Sequence, residues 1–389
     1  MPAPKIPRQA DDDYSVASAA SRREFATAQT GAKLDHVGSF SVDPETLPGN
    51  IENFTGVAQV PIGLAGPLRV NGEHAQGDFY IPMATTEGTL VASYSRGMKL
   101  LQAVGGVKVT VVDDAMQRAP AFLFESAREA RDFVAWLDEH FGDIKAVAES
   151  TTGTGKLRDI QRFVASRFVY TRFNYTTGDA AGQNMTGKAT WAACEWIKKE
   201  HAPLTDYMLE AQMATDKKHS HMNTLHTRGK RVIAEALIPD ATFRETMNVT
   251  SRQMYRARQI SILGGYLSGT AASAAHPANG IAAMFIATGQ DAANVAESHA
   301  ALAYVEMREN DDYYYSITLP SLIVATHGGG TGLATQRECL ELLGCYGSDK
   351  ALKFAEIVAA TVLCGELSLG SAIVADEWVS SHDKLGRNR

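Results

Sequence analysis

Residues 121–141 read AFLFESAREARDFVAWLDEHF, and they open the segment of the chain that decides the fold. The first part, AFLFES, is rich in aromatic and apolar residues, which predicts a β-strand. The second part carries Phe133, Leu137 and Phe141 at helical spacing, which predicts an amphipathic helix with one apolar side. A strand followed directly by such a helix begins a βαβ-type unit.

The segment continues with the same alternation of predicted strands and helices. IKAVAES (144–150) is typical of a strand, and RFVASRFVYTRFNYTT (162–177) alternates like one or two more. GQNMTGKATWAACEWIKKEH (182–201) predicts a helix, and DYMLEA (206–211) predicts a last strand. The order βαββαβ predicts a split-βαβ, ferredoxin-like domain over residues 119–211, inserted into the rest of the chain.

The sequence on both sides of this segment predicts a second, larger domain. Residues 52–83 are dense in Gly and Pro, which indicates strands and tight turns. TTEGTLVASYSRGMKLLQAVGG (85–106) predicts a helix that a Thr caps and two glycines end, with Glu87 in its first turn. From about residue 228 the pattern is mainly helical, and YYYSITLPSLIVAT (313–326) is the expected strand.

Together these patterns predict an α+β fold class, in which a large, mainly helical domain contains the small ferredoxin-like domain as an insertion. Residues 1–45 are expected to be an N-terminal extension with a short helical region. The large domain is predicted over residues 46–118 and 212–389, and the small domain over 119–211.

The composition is ordinary for a globular protein with a sizeable core. Of the 389 residues, 45% are hydrophobic and 21% are charged, and the formal net charge is −7. A net negative charge argues against a nucleic-acid partner, which needs a broad basic surface. The four cysteines form no CxxC pair, so they indicate neither a zinc site nor a disulfide framework, and a cytoplasmic location is expected.

One segment is apolar enough to be mistaken for a membrane span. IVAATVLCGELSLGSAIVA (357–375) carries Glu366 near its centre, and a carboxylate is costly in hydrocarbon. We therefore expect a buried helix of a soluble core and no membrane partner. The N-terminal sequence MPAPKIPRQADDDYSV lacks the apolar region of a signal peptide, which fits this expectation.

Three short motifs are candidates for chemistry, and each has a simpler alternative. ATDKKHSH (214–221) has the form of a solvated charge run, but its lysines also suit a site that handles a negatively charged oxygen. GDAAGQNM (178–185) joins a predicted strand to a predicted helix, where backbone N–H groups suit a phosphate, although a capped turn has the same pattern. TGQDAANV (288–295) places Asp291 at a predicted helix start, where N-capping is its simplest role.

Two further motifs argue against other classes of protein. GQNMTGKA (182–189) is close to a P-loop, but Ala189 stands where Ser or Thr would bind magnesium, which argues against a nucleotide triphosphatase. His219, His221 and His226 match neither a zincin helix nor a zinc finger. We therefore expect surface or hydrogen-bonded histidines there, and no metal.

Several longer motifs occur in one order along the chain. They are ENFTG, PIGLAGPL, MATTEGTLVAS, GDAAGQNM, DKK, RGK, AEALIP, AHPAN, ATGQDAANV, LPSL, GGGTGL, CGELSL and the terminal SSHDKLGRNR. From about residue 45 onward, the set resembles the catalytic portion of the 3-hydroxy-3-methylglutaryl-CoA (HMG-CoA) reductase family. TTEG places the chain nearer the class I, eukaryote- and archaea-like branch, and without a preceding membrane anchor it resembles the soluble prokaryotic forms.

The resemblance implies an NAD(P)H-dependent, four-electron reduction of HMG-CoA to mevalonate and CoA by two hydride transfers. The motif match gives Lys217 the role of stabilising the oxyanion and Glu87 the role of proton donor. Asp291 would link these two side chains by hydrogen bonds. His382 would protonate the departing CoA thiolate.

The resemblance also implies which residues bind the ligands. The small domain would bind the cofactor, and the large domain would bind the substrate. Arg118 and Lys218 would hold the acyl carboxylate. Lys156 would compensate for Gly153, which stands where an arginine is usual near the 2′-phosphate, so NADPH is expected and NADH is the alternative. The implied substrate-binding residues are Arg118, Asp216, Lys218 and Asn279, and the implied cofactor-binding residues are Thr152, Lys156, Asp179, Gly182, Gln183 and Asn184.

Departures from the family pattern leave the acyl substrate open. Glu210, Ala211 and Gln212 stand where relatives read Ser-Gly-Asn, and Gln259 stands where they carry a lysine. The alternatives to HMG-CoA reduction are a reductase of a different acyl-CoA, oxidative use of mevalonate, and a non-catalytic nucleotide-binding protein. The resemblance further implies a homodimer or higher homo-oligomer with shared active sites.

Overall fold

The fold is that of a computed structural model, which describes residues 3–9, 11–270 and 272–377. It is 43% helical and 22% strand, so the predicted mixture of helices and sheet is confirmed. The helices are α1 (Val16–Thr30), α2 (Leu90–Ala103), α3 (Ala127–Glu139), α4 (Phe141–Glu149), α5 (Gln183–Glu200), α6 (His221–Leu225), α7 (Asp240–Met247), α8 (Ser251–Ser268), α9 (Pro277–Thr288), α10 (Val295–Ser298), α11 (Ala334–Leu342) and α12 (Ala351–Val374). The strands are β1 (Ile62–Gly72), β2 (Gln76–Ala84), β3 (Val107–Arg118), β4 (Ala121–Leu123), β5 (Lys156–Ala165), β6 (Phe168–Thr176), β7 (Asp206–Met208), β8 (Gly229–Ile238), β9 (Leu302–Met307) and β10 (Tyr313–Leu322).

The larger part of the sheet joins strands from before and after the segment 119–211. β1 pairs with β2 antiparallel and with β3 parallel, and then β3, β8, β10 and β9 follow as antiparallel neighbours. Along β8, Val232, Ala234 and Ala236 are buried, whereas Leu237 on the other face is 48% exposed. One face of this sheet therefore packs on the core.

α12 is the central helix of the large core. Every residue from Phe354 to Ser368 is buried, and the helix packs against α2, α9, β3 and β8. By length and composition alone α12 could cross a membrane, but 78% of its apolar 18-residue stretch is buried inside the structure. The predicted buried helix is confirmed.

The contact between α2 and α12 depends on a glycine. A Cβ atom on Gly97 would lie 2.0 Å from the backbone carbonyl oxygen of Cys364, which cannot move without bending α12. Nearby, the hydroxyl groups of Ser93 and Ser368 lie 3.1 Å apart across the same interface. The two helices therefore approach as closely as their backbones allow.

We expect Gly97→Ala to lower the free energy of unfolding by about 1–3 kcal/mol, because overpacking must push the two helices apart. Gly142→Ala in α4 is the matched control, since a Cβ atom there meets nothing within 4 Å. That control is expected to be neutral or to gain up to about 1 kcal/mol from helix propensity. Urea unfolding of the two variants beside the wild type measures both effects, and equal stabilities would contradict the close approach.

A second core lies beside strands β4 to β7, which pair antiparallel in the order β7-β4-β6-β5. Helices α3, α4 and α5 cover one face of these strands, around Phe122, Phe133 and Phe173. β3 joins the two cores, because its last residues, Met116 to Arg118, pair with β6 rather than with β8. Arg118 therefore lies at the junction of the two cores.

The prediction of a strand at 144–150 is wrong, because residues 144–149 belong to α4 and Ser150 is its C-cap. Ile144 and Ala148 are the buried residues of this helix, and their spacing is one helical turn. Ala and Glu favour a helix, and they outweigh the β-branched residues in IKAVAES. The second strand of the predicted βαββαβ order is β5 instead, so the order holds with one additional helix.

Two other predictions of local structure are wrong. The chain after residue 228 is less helical than expected, because β8 and β9 both belong to the large sheet. Helix α2 begins only at Leu90, after Thr89 in a left-handed conformation (φ 72°), so Glu87 lies in the preceding loop rather than in the first helical turn. The strand pattern of β8 is hard to recognise because Leu237, an apolar residue, lies on its exposed face. The Ala-rich sequence before β9 continues a helical pattern.

Candidate active site

Lys217 and Asp291 form the centre of the candidate site. The Lys217 ammonium donates to Asp291 Oδ2 at 2.9 Å, and the two side chains are 42% and 45% exposed. The hydrogen bond that Lys217 donates to Asp291 raises the pKa of Lys217 more than partial burial lowers it. The pair therefore presents a firmly protonated ammonium at an accessible surface.

Asp291 has both of the roles that the sequence left open. Its Oδ1 accepts from the backbone N–H of Ala293 at 3.0 Å, which caps the 3₁₀ turn Ala292–Asn294, while Oδ2 accepts from Lys217. The cap fixes the carboxylate relative to the backbone. One side chain therefore caps the turn and pairs with Lys217, while the predicted link from Asp291 to Glu87 stays a prediction.

The charged run around Lys217 is ordered rather than simply solvated. Asp216 turns inward and accepts from the guanidinium of Arg228 at 2.6 Å, and Arg228 is fully buried. Lys218 folds back onto its own loop, where its ammonium donates to the Asp216 carbonyl at 2.9 Å. The three consecutive charged residues of DKK thus have three different partners.

A buried carboxylate, Glu297, lies beneath the Lys217 loop. Its Oε1 accepts from the backbone N–H of Lys217 at 3.1 Å and from Arg228 Nε at 3.3 Å. Burial raises the pKa of Glu297, although these donors and the charge of Arg228 act against that rise. The sequence does not indicate a role for Glu297 or Arg228, since VAES is typical of an exposed helix and RGK of a loop.

Arg118 already contacts a carboxylate. Its guanidinium lies 3.4 Å from Glu210 Oε2 and donates to the Gln183 carbonyl at 2.9 Å. Glu210 Oε1 accepts from the backbone N–H of Gln212 at 3.0 Å. The charge of Glu210, which departs from the family pattern, is therefore partly neutralised by the residue expected to hold the acyl carboxylate.

The turn before α5 has the geometry of an anion site. Gly182 is the N-cap residue in a left-handed conformation (φ 76°), and a Cβ atom there would lie 2.3 Å from Thr177 Cγ2. Among the residues that the structure describes, no side chain caps this helix, so the backbone N–H groups of its first turn can bind a ligand. Asn184 is exposed in that turn, while Gln183 reaches sideways to Asn294 at 2.7 Å.

Asp179 caps a different helix. Its carboxylate accepts from the backbone N–H groups of Asp349, Lys350 and Ala351 at 2.7, 2.9 and 3.0 Å, at the N-terminus of α12. Burial would raise the pKa of Asp179, but the three backbone donors lower it below its usual value. This carboxylate joins the turn before α5 to the central helix of the large core.

We expect Asp179→Asn to lower the free energy of unfolding by about 1–2 kcal/mol at neutral pH, because an amide accepts these N–H groups more weakly. A lowered folded-state pKa contributes stability above the unfolded value, about 3.9, and loses it as pH falls through the folded value. The difference between variant and wild type should therefore vanish in acid. Asp35→Asn, at an exposed carboxylate, is the control, and an equal loss there would contradict the cap.

The proposed 2′-phosphate residues make internal contacts. Thr152 Oγ1 accepts from the backbone N–H groups of Thr154 and Gly155 at 3.2 and 3.1 Å. The Lys156 ammonium lies 3.1 Å from Glu149, and its side chain is 58% exposed. A phosphate at this position would compete with Glu149 for Lys156.

Glu87 lies in the loop before α2, and Asn279 lies near the start of α9. Glu87 is exposed, and its backbone N–H donates to Thr85 Oγ1 at 3.0 Å. Within residues 3–9, 11–270 and 272–377, no ion pair joins Glu87 to Lys217. Asn279 lies in the first turn of α9, whose start is fixed by Glu366 accepting from the N–H groups of Ala275 and His276, both at 2.7 Å.

His382 lies outside the described residues. The other two histidines of the site region have separate partners. The rings of His219 and His299 meet edge to face with their centroids 5.9 Å apart, and His226 Nδ1 lies 3.1 Å from Gln161 Nε2.

In the part of the chain that the structure describes, the one cluster with metal-ligand geometry is Glu73, His74 and Glu356. There Glu356 already accepts the backbone N–H groups of residues 73–75.

Comparisons with known proteins identify the family of this chain. A family model described as hydroxymethylglutaryl-coenzyme A reductase matches residues 18–387. The 3-hydroxy-3-methylglutaryl-coenzyme A reductase of Methanocaldococcus jannaschii is 43% identical over 373 residues, which cover 94% of this chain and 92% of the relative. That of Pyrococcus horikoshii is 42% identical over 374 residues, covering 94% and 91%.

A solved structure is similar in fold at lower identity. It is a class II 3-hydroxy-3-methylglutaryl-CoA reductase of Streptococcus pneumoniae bound to NADPH, with a TM-score of 0.69 and 20% identity, covering 91% of this chain and 86% of that one. At this identity the likeness supports the fold alone.

The family model and the two archaeal relatives define an enzyme of the oxidoreductase class. The chain belongs to the hydroxymethylglutaryl-coenzyme A reductase family, so the resemblance drawn from motif order is confirmed.

Proposed function

We propose that this enzyme reduces (S)-HMG-CoA to mevalonate and CoA in two hydride transfers, with NADPH as the reductant. The observation that carries the proposal is the Lys217 ammonium, which Asp291 holds at 2.9 Å in an accessible position. Each reduction places negative charge on the former carbonyl oxygen. A preorganised cation at that oxygen stabilises the transition state more than the ground state.

The other residues supply and position protons and charge. Glu87 donates a proton to the oxygen that Lys217 stabilises, and Asp291 keeps Lys217 protonated. His382 protonates the CoA thiolate after the first reduction, so that the thiol leaves the mevaldehyde-level intermediate. The residues that hold the substrate are Arg118, Asp216, Lys218 and Asn279.

The turn before α5 is the proposed binding site for a phosphate group of the dinucleotide cofactor. A left-handed Gly182 and an uncapped 18-residue helix offer backbone N–H groups to an anion, and no side chain could replace the glycine without meeting Thr177. Bound NADPH supplies the hydrides. The residues that would hold it are Thr152, Lys156, Gly182, Gln183 and Asn184, with Asp179 orienting the turn from its cap on α12.

We further assign residues 119–211 as the cofactor-binding domain and 46–118 with 212–389 as the substrate-binding domain. The separate core around Phe122, Phe133 and Phe173 supports this division. Residues 1–45 form the N-terminal extension, and we propose a cytoplasmic enzyme.

The enzyme is proposed to be a homodimer, or a higher homo-oligomer, with shared active sites. Support comes from α8, where Ile260, Leu263, Tyr266 and Leu267 are 64%, 60%, 83% and 78% exposed. An apolar helix surface of this kind is typical of a subunit interface. Light scattering of the wild type and of Leu263→Glu tests this assignment. A wild type that is already monomeric would refute it.

A second candidate substrate is an acyl-CoA without a free carboxylate. It is favoured by one observation, the contact of Glu210 with Arg118, because Glu210 would repel an incoming acyl carboxylate. Purified enzyme is incubated with NADPH and either HMG-CoA or acetyl-CoA, and the products are identified by mass spectrometry. We expect mevalonate from HMG-CoA with two NADPH oxidised per mevalonate. A reduced product from acetyl-CoA alone would favour the second candidate.

A further inference from the structure

One hydrogen-bond network with a buried centre connects the turn before α5 with Lys217. Gln183 Nε2 donates to Asn294 Oδ1 at 2.7 Å, and Asn294 Nδ2 donates to Glu297 Oε1 at 3.1 Å. The same Oε1 accepts the backbone N–H of Lys217 at 3.1 Å. Asn294 is 1% exposed and Glu297 is fully buried, so the bond between them is shielded from water, and the two outer bonds are partly buried.

Lys217 needs such support because its backbone is strained. Its φ angle is 56°, a left-handed conformation that is unfavourable for a residue with a side chain. Thr215, two residues earlier, is also left-handed, with φ 55°. A conformation of this kind persists where the surroundings hold it in place. The hydrogen bond to Glu297 holds the backbone of Lys217, while Asp291 holds only its ammonium.

The position of Glu297 is fixed from two sides. Arg228, itself fully buried, donates to Glu297 Oε1 and to Oδ1 of Asp216, the residue before Lys217. Asn294 approaches from the 3₁₀ turn that Asp291 caps. The carboxylate of Glu297 therefore ties together the loop of Lys217 and the turn of Asp291, the two segments whose side chains form the central ion pair.

The other end of the network reaches the proposed cofactor turn. Gln183 is the first residue of α5, and its backbone carbonyl accepts from Arg118 at 2.9 Å. A cofactor that orders the first turn of α5 would also order the Gln183 side chain, and through it Asn294 and Glu297. Ordering one end of a rigid hydrogen-bond network lowers the cost of ordering the other end.

We propose that Glu297 is the positioning residue for Lys217, and that the Gln183–Asn294 hydrogen bond links cofactor binding to the placement of the catalytic lysine. The inference deepens the proposed function and rests on it for the role of Lys217. A purely structural Glu297 would change stability without changing the reactivity or the catalytic effect of Lys217.

The first test compares Glu297→Gln with Glu356→Gln, since both carboxylates are fully buried and both accept backbone N–H groups. Glu297→Gln is expected to lower kcat per folded enzyme by about 10²-fold, because a catalytic group displaced by about 1 Å loses that much. The KM for HMG-CoA should change little, since the interaction with the oxyanion forms in the transition state. Glu356→Gln should lower stability and leave kcat unchanged.

The second test measures the chemical reactivity of Lys217 and the affinity for NADPH, neither of which requires turnover. An amine-reactive reagent followed by peptide mass spectrometry measures the labelling rate of Lys217, which should rise several-fold in Glu297→Gln. Asn294→Leu breaks the link to Gln183, and it is expected to weaken NADPH binding by about 5-fold or more in a fluorescence titration without HMG-CoA. Asn294→Leu keeps the hydrogen bond between Arg228 and Glu297 and removes only the bonds of Asn294, so it tests the network if Glu297→Gln does not fold.

The outcomes separate this inference from the proposed function. Wild-type kcat and wild-type Lys217 labelling in Glu297→Gln would overturn the positioning role. Wild-type NADPH affinity in Asn294→Leu would overturn the link to the cofactor. If the wild-type enzyme does not reduce HMG-CoA, the proposed function fails, but Lys217 labelling and NADPH titration still decide the inference.

Discussion

Lys217→Ala is expected to lower kcat for HMG-CoA reduction by about 10²–10³-fold, the loss typical of removing one donor to a developing oxyanion. KM should change much less, because the ammonium acts mainly on the charge that develops during hydride transfer. The side chain is 42% exposed and its loss leaves no cavity, so the variant should fold normally. Steady-state kinetics with NADPH measures the effect.

The matched control for this variant is Lys99→Ala, which removes an exposed ammonium from α2, away from Asp291. It should have the kcat of the wild type. Wild-type kcat in Lys217→Ala would remove the basis of the proposed mechanism, whatever the substrate.

Asp291→Asn is expected to have the second largest effect, a loss in kcat of about 10²-fold from misplacement of Lys217. The hydrogen bond that Lys217 donates to Asp291 is the main cause that raises the pKa of Lys217, so removing the carboxylate lowers that pKa. Because the ammonium form is the active one, the alkaline limb of the kcat–pH profile should move to lower pH. An alkaline limb that stays in place would contradict the assignment of Asp291 as the partner of Lys217.

The parts of the fold that could be predicted are those in which local pattern and tertiary packing agree. α5 and α12 were predicted because turn chemistry and apolar content mark them, and the apolar α12 is buried throughout its central part. The segment 144–150 was predicted wrongly because a short run with Ile and Val suits both a strand and a helix. Only the pairing of β5 with β6 identifies the second strand.

The candidate site was predictable only in part. Lys217 and Asp291 are far apart in sequence, and no local pattern pairs them; the family resemblance did so, and the ion pair at 2.9 Å agrees. Glu297 was not predictable, because a buried glutamate in a short polar helix has the sequence of an exposed one. Its role depends on Arg228, which reaches it from the start of β8, and such contacts arise only from the tertiary fold.

The most direct test of the proposed function is to measure how fast the purified wild-type protein oxidises NADPH and NADH in the presence of HMG-CoA, from the loss of reduced-nicotinamide absorbance. We expect turnover that requires HMG-CoA and is faster with NADPH, because Lys156 is proposed to bind the 2′-phosphate. Folded protein that oxidises neither cofactor with HMG-CoA would contradict the proposed function, and faster turnover with NADH would contradict the role given to Lys156.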